Sequence, residues 1–363
     1  MIKSLYVHVP FCSHICYYCD FAKQRYSDRI AEEYLGRLER EISRIQQDSF
    51  ETVYIGGGTP SSLSVKQLER LFAILERFEI TKEYTFEINP ESFNLEKAGI
   101  LKKHGVNRVS IGLQSFDEQI LQEVGRVHKQ EDIVRTFEAL DETGITNRSV
   151  DLMYGFRGET LEKLQRDIEK AVKLDITHIS IYELEVHENT VLGKRGYAGC
   201  DEETSYLMYQ MIMEKLPQYG FQQYEISSFA RKGYQSEHNK TYWHYDDYIG
   251  VGLSAAGKEN HVRYENTSVM KKYLTDEYVG ERIPLSRQDE RFEAIMMGLR
   301  LLEGIDLEEY AEKYGCDLTE HYREAVEKQL GKGNLLLEEG HLKMSQQGIY
   351  VMNDILIDFM NSL

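Results

Sequence analysis

The sequence predicts an α/β protein: an open, partial (β/α)6 barrel of the TIM type, followed by a small C-terminal helical, winged-helix-like unit. Three observations carry this expectation. Short β-branched or aromatic runs alternate with helix-period apolar segments through the first half of the chain. A Gly-aliphatic turn leads into a strand twice, at Gly105-Val106 and at Gly144-Ile145, as repeated βα units require. Beyond Leu184 that alternation fades, and the tail carries helical patterns followed by a hairpin signal.

The predicted strands are residues 5–9, 52–55, 84–88, 108–113, 149–153 and 178–184, and the helices between them are 30–45, 65–78, 95–104, 132–143 and 161–174. Ser64-Val65-Lys66-Gln67 reads as a capping box, and Gly105 and Gly144 are placed to end two of the helices. Strands alternating with helices imply a parallel sheet covered by helices. Six such units fall short of the eight that close a TIM barrel, so the sheet is expected to stay open. A further helix is predicted over 204–216. In the tail, helices over 290–302, 307–314 and 320–330 precede two short runs, 335–337 and 341–344, around the turn Glu338-Glu339-Gly340, and a last helix covers 348–359.

Composition narrows the function classes. With 43 Lys and Arg against 61 Asp and Glu, a net charge of −18 argues against nucleic-acid binding. The tail alone has 8 basic against 16 acidic residues over 285–363, a poor surface for DNA despite its winged-helix pattern. Apolar residues at 41% and charged residues at 29% describe a soluble globular protein. No apolar run approaches the roughly 18 residues of a membrane span. Met1-Ile2-Lys3-Ser4 runs straight into a strand, leaving no room for a signal peptide, and five cysteines, three of them clustered, suit a reducing, cytoplasmic setting.

Ligands of such sheets bind at the carboxyl ends of the strands, and the chemically distinctive residues fall there. Behind the first strand, Cys12, Cys16 and Cys19 stand at C-x3-C-x2-C spacing. Thiolates are soft ligands, so the loop suits an iron–sulfur cluster or zinc; three packed thiols are the third reading. A four-iron cluster would keep one iron open, whereas structural zinc would want a fourth ligand such as His8 or His14. Behind the second strand comes Gly56-Gly57-Gly58-Thr59-Pro60, a backbone bare enough for a ligand's close approach, or a tight turn. Glu87, Gln114 and Asp151 mark the next three strands, and Arg126 could pair with a carboxylate. Farther on, His238-Asn239-Lys240-Thr241-Tyr242-Trp243 sets a histidine beside aromatic rings, an arrangement open to haem or to an ordinary hydrogen-bonded loop histidine.

The cysteine spacing with the pair Tyr18-Cys19 resembles the radical S-adenosylmethionine (SAM) superfamily. The longer run Tyr6-Val7-His8-Val9-Pro10-Phe11-Cys12 is similar to the oxygen-independent coproporphyrinogen III dehydrogenase family and its HemW-type haem-chaperone relatives. The resemblance implies a [4Fe-4S] cluster on Cys12, Cys16 and Cys19 with SAM chelated at the open iron. Tyr6, Tyr18, Gly57, Gly58, Thr59, Glu87, Gln114, Arg126 and Asp151 match positions lining the SAM site. The H-N-x-x-Y-W run, with His238, Tyr242 and Trp243, matches the haem motif of the chaperone group. Two functions follow as expectations: a chaperone passing haem to acceptor proteins, with membrane contact only through those acceptors, or a dehydrogenase decarboxylating porphyrinogen propionates. Phe21, where the dehydrogenases carry a further cysteine, the absence of their N-terminal extension, and the haem motif favour the chaperone. The expected units are 1–235, the barrel; 236–284, the haem motif and glycine-rich connection; and 285–363, the winged-helix-like tail.

Overall fold

The computed structural model describes residues 1–275 and 277–362; Asp276 and Leu363, inside the second and third expected units, lie outside the described residues. Six βα-type strands appear in the predicted order: β1 (Ser4–Val9), β2 (Ser49–Gly57), β3 (Glu79–Ile88), β4 (Arg108–Gln114), β5 (Asn147–Tyr154) and β6 (His178–Glu183). Helices α1 (Asp28–Ile42), α2 (Val65–Leu75), α3 (Leu95–Lys103), α4 (Gln130–Thr143) and α5 (Leu161–Ala171) return the chain between them. Local chemistry sets the helix limits. The Ser64–Gln67 capping box forms at the start of α2, and Gly144, at φ 67°, ends α4 in the left-handed region that only glycine enters freely.

Each neighbouring pair from β1 to β6 is parallel. The apolar residues of these strands, among them Leu5, Val7, Val53, Ile55, Phe86, Val109 and Ile111, are fully buried against the helices in one continuous core. Each such side chain contributes roughly 1.5–3 kcal/mol through burial.

The sheet extends beyond the six expected strands at both ends. After α6 (Glu202–Gln218), the short strands β7 (Gln222–Glu225) and β8 (Ser228–Ala230) add to β6 in antiparallel fashion. On the other side, β9 (Tyr248–Val251) lies parallel to β1, with Tyr6 opposite Gly250. Antiparallel β10 (Ala256–Glu259), β11 (Val262–Asn266) and β12 (Val279–Pro284) continue from it, giving among the described residues a 12-stranded sheet whose outermost strands are β12 and β7. The glycine-rich segment is thus a seventh parallel strand. Its four residues and its glycine hid it from pattern reading.

Between β8 and β9, helix α7 (Glu237–Trp243) closes the amino-terminal ends of the strands. Its hold is specific: the Glu83 carboxylate of β3 accepts from the backbone N–H groups of Glu237 and His238 and from the Ser236 hydroxyl, at 3.0–3.2 Å. A buried anion at a helix N-terminus satisfies donors the helix cannot satisfy itself. Glu83 also lies 4.0 Å from the buried Arg108 guanidinium. Glu83→Ala therefore orphans several donors and a buried cation, at a cost on the order of 3 kcal/mol. A lower urea midpoint at an unchanged m-value is the expected readout; an unaltered midpoint would show that α7 holds by packing alone.

The tail has its own core, in which Ile295, Leu299, Tyr310, Leu318, Tyr322, Leu342 and Phe359 pack together. It contains α8 (Arg287–Gly298), β13 (Ile305–Asp306), α9 (Leu307–Tyr314), α10 (Arg323–Gly331), the hairpin β14 (Leu335–Glu338) and β15 (His341–Met344), and α11 (Met352–Met360). β15 lies between β13 and β14 in an antiparallel sheet. The single last helix expected over 348–359 is instead two, Gln346–Tyr350 and α11, interrupted at Val351. The whole is a mixed α/β core with a C-terminal helical region.

Candidate cluster and cofactor site

The carboxyl ends of β1 to β6 surround a cavity of about 400 Å³. Its walls bring together Cys12, Cys16, Cys19, Tyr18, Gly57, Gly58, Thr59, Glu87, Gln114, Arg126 and Asp151 from six separate stretches of sequence.

The cysteine loop is tied at both ends. Phe11–Cys12 pairs in parallel with Gln24–Arg25, so the chain leaves and returns at one place. The Tyr17 N–H donates to the Val124 carbonyl at 2.9 Å, and the Tyr17 ring covers Gly125, where a Cβ would come within 2.8 Å of it. Thr59 Oγ1 and Arg126 Nη1 each stand 3.6 Å from a thiol, those of Cys12 and Cys16. Burial pushes the Cys12 thiol up to about 11 and raises Cys19 as well, so the metal-free loop holds these two protonated and metal loading releases protons. Among the described residues, no three His, Cys, Asp or Glu side chains converge as a ready site for one metal ion. His8, considered as a fourth zinc ligand, has both nitrogens occupied: Nε2 faces the Ala22 carbonyl at 2.9 Å and Nδ1 the Tyr6 hydroxyl at 3.0 Å. The carbonyl can only accept, so Nε2 carries the proton and Tyr6 donates to Nδ1.

The glycine run is bare mainly for the protein's own sake. A Cβ would meet the Glu87 carboxylate at 2.8 Å from Gly56, the His8 ring at 2.6 Å from Gly57, and the Pro10 backbone at 2.7 Å from Gly58. Close packing of β2 on β1 and β3 demands these glycines. Two of them still border the cavity.

Glu87 and Asp151 form the cavity's anionic wall. Burial, aided by the charge of Asp151, lifts Glu87 to about 7 against the pull of the Tyr54 hydroxyl, 2.7 Å away, and the Gly57 N–H at 3.0 Å. Burial likewise lifts Asp151 to about 6, although Ser110 donates to it at 3.1 Å. Gln114, at the end of β4, adopts φ 67°, an uncommon conformation for a residue with a Cβ. Its Oε1, with Arg126 Nε and Glu91 Oε2, is buried without a hydrogen-bond partner. Orphaned acceptors and donors beside two carboxylates fit a ligand carrying both ammonium and carboxylate groups, as SAM does.

Tyr6 is not among the residues lining this cavity. It lies one layer below, its ring 6.1 Å from that of Tyr54. Sequence reasoning missed Ser110 and Tyr182, both lining residues. Ser110 shares the inward period-2 phase of Gln114 along β4, a signal that could have found it.

The haem-motif residues lie at the opposite end of the sheet. His238 is completely buried; its Nδ1 is 2.8 Å from Thr52 Oγ1 and its Nε2 is 2.9 Å from the Tyr242 hydroxyl. Its ring packs 5.2 Å from Tyr54, whose hydroxyl in turn reaches Glu87. The structure therefore sets His238 apart from the cysteines: α7 plugs the amino-terminal ends of the strands, and each His238 nitrogen stands within hydrogen-bond distance of a hydroxyl. Trp243, at the end of α7, is half-buried beneath the Arg300 guanidinium, 4.5 Å from its ring.

Comparison with known proteins agrees with this architecture. Residues 6–171 match the model of the Radical SAM superfamily, and residues 285–351 that of the HemN C-terminal domain. The solved structure of coproporphyrinogen III oxidase (HemN) from Escherichia coli, described as a radical SAM enzyme, shares the fold. Its TM-score is 0.86 over 100% of this chain and 91% of that one, at 22% identity. Heme chaperone HemW of Bacillus subtilis (strain 168) is 37% identical over 100% of both chains. Heme chaperone HemW of Escherichia coli (strain K12) is 30% identical over 97% of each. The bovine mitochondrial radical S-adenosyl methionine domain-containing protein 1 is 33% identical over 99% of this chain and 88% of that protein. The chain belongs to the radical SAM superfamily and, within it, to the family of the HemW proteins.

Proposed function

We propose that the chain is a haem chaperone. Cys12, Cys16 and Cys19 hold a [4Fe-4S] cluster, SAM binds beside it, and haem is passed to acceptor proteins, with membrane contact arising only through those acceptors. The observation that carries this reading is the cavity lined by the three cysteines, by two carboxylates raised by burial, and by Gln114 and Arg126, each with a buried polar atom that has no hydrogen-bond partner. The relatives named heme chaperone support the haem part.

Cluster and SAM, when bound, supply one-electron chemistry. The chain's own residues do the rest. Glu87 and Asp151 meet the ligand's positive groups, Arg126 its carboxylate, and Gln114 Oε1 a donor. The plug of Tyr54, His238 and Tyr242 keeps water out from below. We place the barrel at 1–235, the connecting segment at 236–284 and a winged-helix-like unit at 285–363. The clustered thiols support a cytoplasmic setting; among the described residues no helix is long and apolar enough to cross a membrane.

Phe21 separates this reading from coproporphyrinogen III dehydrogenase activity, the second function the resemblance allows. It stands 66% exposed at the cavity mouth, where those enzymes carry a cysteine. Anaerobically reconstituted protein is expected to bind haem stoichiometrically and to leave coproporphyrinogen III unconverted in the presence of SAM and reductant. A 5′-deoxyadenosine assay run in parallel reports whether SAM is cleaved. Catalytic turnover of the porphyrinogen would assign the dehydrogenase function instead.

A further inference from the structure

We infer that the mouth of the cavity is an electrostatic filter: Asp20, Glu183 and Glu185 draw the net-cationic SAM inward and turn away tetracarboxylate porphyrinogens. This deepens the proposed function and rests on it, because it takes SAM as the ligand of the cavity.

The mouth is built from two stretches of chain. Asp20 and Phe21 follow the cysteine loop, while Glu183 and Glu185 stand where the chain leaves β6; all four line the cavity and are exposed. The Ser205 hydroxyl donates to Glu183 at 2.6 Å and steadies its carboxylate. His187, also in the lining, joins the two stretches: its Nε2 is 3.4 Å from Asp20 Oδ2 and 3.6 Å from Glu185 Oε2. The ammonium of Lys23 is turned back on the loop, where it donates to the Cys19 and Phe21 carbonyls. Arg126 lies deeper, almost wholly buried. Three carboxylates thus meet solvent where the cations of the lining are tied down or withdrawn.

Behind this rim the cavity has unmet hydrogen-bonding capacity. Gln114 and Arg126, both more than nine-tenths buried, line it and each keep a polar atom without a partner. A ligand entering from solvent to satisfy them passes the carboxylates. SAM sets an ammonium and a sulfonium against one carboxylate, so it arrives as a net cation. Methionine and 5′-deoxyadenosine, the products of its cleavage, carry no net charge and gain nothing from the field. A cleft lined by one sign of charge raises the entry rate of the opposite sign, roughly ten- to a thousandfold. A porphyrinogen with its propionates ionised meets the same rim as like charge, and the Phe21 ring offers it no donor.

The test is rapid-mixing binding of SAM to the cluster-loaded full chain at pH 8, for the parent and for Glu183→Gln/Glu185→Gln. Both glutamates are exposed, so circular dichroism and the urea midpoint of the variant should match the parent's. At low salt the association rate constant is expected to fall about fivefold or more in the variant, with dissociation unchanged. The two proteins should converge near 1 M salt, where screening acts within about 3 Å. A second arm adds coproporphyrin III to reduced, SAM-loaded protein and reads the electron paramagnetic resonance spectrum of the cluster, which a porphyrin bound at the far end of the sheet leaves unchanged. The parent spectrum should stay as it was, and that of Glu183→Lys/Glu185→Lys should shift, less so as salt is added. Equal association rates at low salt, a porphyrin-induced shift in the parent, or a lysine variant as unresponsive as the parent overturns the filter. A parent that loads its cluster yet takes up no SAM overturns the SAM reading instead.

Discussion

Cys16→Ser is expected to take the anaerobically reconstituted protein from about four irons and four sulfides per chain to almost none. A serine hydroxyl is a hard, protonated oxygen and replaces a thiolate poorly on iron. The loop itself should survive, because its anchors are the protein's own: the Tyr17 N–H on Val124, the pairing of Phe11–Cys12 with Gln24–Arg25, and Tyr17 over Gly125. Circular dichroism and the urea midpoint of the metal-free variant should therefore match the parent, separating ligand loss from unfolding. Cys200→Ser serves as the control, since Cys200 does not line the cavity. A Cys16→Ser protein that retained four irons, or a parent that took up one zinc indifferent to Cys16, would dismiss the cluster.

The second large effect is on SAM affinity, which should rise about tenfold between pH 6 and pH 8 and level off above. Burial pushes the Glu87 carboxyl up to about 7 and that of Asp151 up to about 6. A cationic ligand needs the ionised forms, so binding expels protons and strengthens as pH climbs through those values. Glu87→Gln should flatten the profile and weaken binding at pH 8. Equilibrium dialysis on cluster-loaded protein measures both, and a pH-independent affinity in the parent would remove Glu87 from the ligand's contacts.

Folding of the ligand-free protein responds in the opposite direction. A carboxyl group whose folded pKa exceeds its unfolded value binds more protons in the native state. The stability it contributes is complete below the unfolded pKa and is lost as pH rises through about 6 for Asp151 and about 7 for Glu87. Ligand-free protein is thus expected to weaken across the interval in which the proposed binding of SAM tightens.

The six parallel strands were legible because each is an apolar run bounded by clear punctuation, and the structure places β4 over Arg108–Gln114 against the predicted 108–113. The cysteine loop was legible for another reason: its three thiols lie within eight residues of one another, Cys12 to Cys19. What pattern reading could not reach was burial set by distant partners. His238 looks like a loop histidine beside aromatics, yet Thr52, 186 positions earlier, holds its Nδ1. Glu83 has no motif; only the arrival of α7 above it gives the carboxylate a purpose. Many of the chain's 25 tyrosines had no evident role in sequence. Tyr6, Tyr54 and Tyr242 prove to pack with His8 and His238 beneath the cavity, with Tyr242 also against Tyr248 at 4.8 Å.

The parallel pairing of β9 with β1 bears on the order of events during synthesis. β1 is the strand that delivers the cysteines, and it emerges from the ribosome long before its partner at Tyr248–Val251. The Ser4 hydroxyl likewise waits for that of Thr241, 237 positions later, with which it shares a hydrogen bond of 2.7 Å. At about 5–20 residues per second, that interval lasts on the order of 12–50 s. Throughout it β1, which leads into the cysteine loop, has one open flank, and the amino-terminal ends of the strands have no plug. The nascent chain thus offers its thiols from an incomplete sheet, and the arrival of α7 and β9 closes the amino-terminal ends of the strands and the open flank of β1 last.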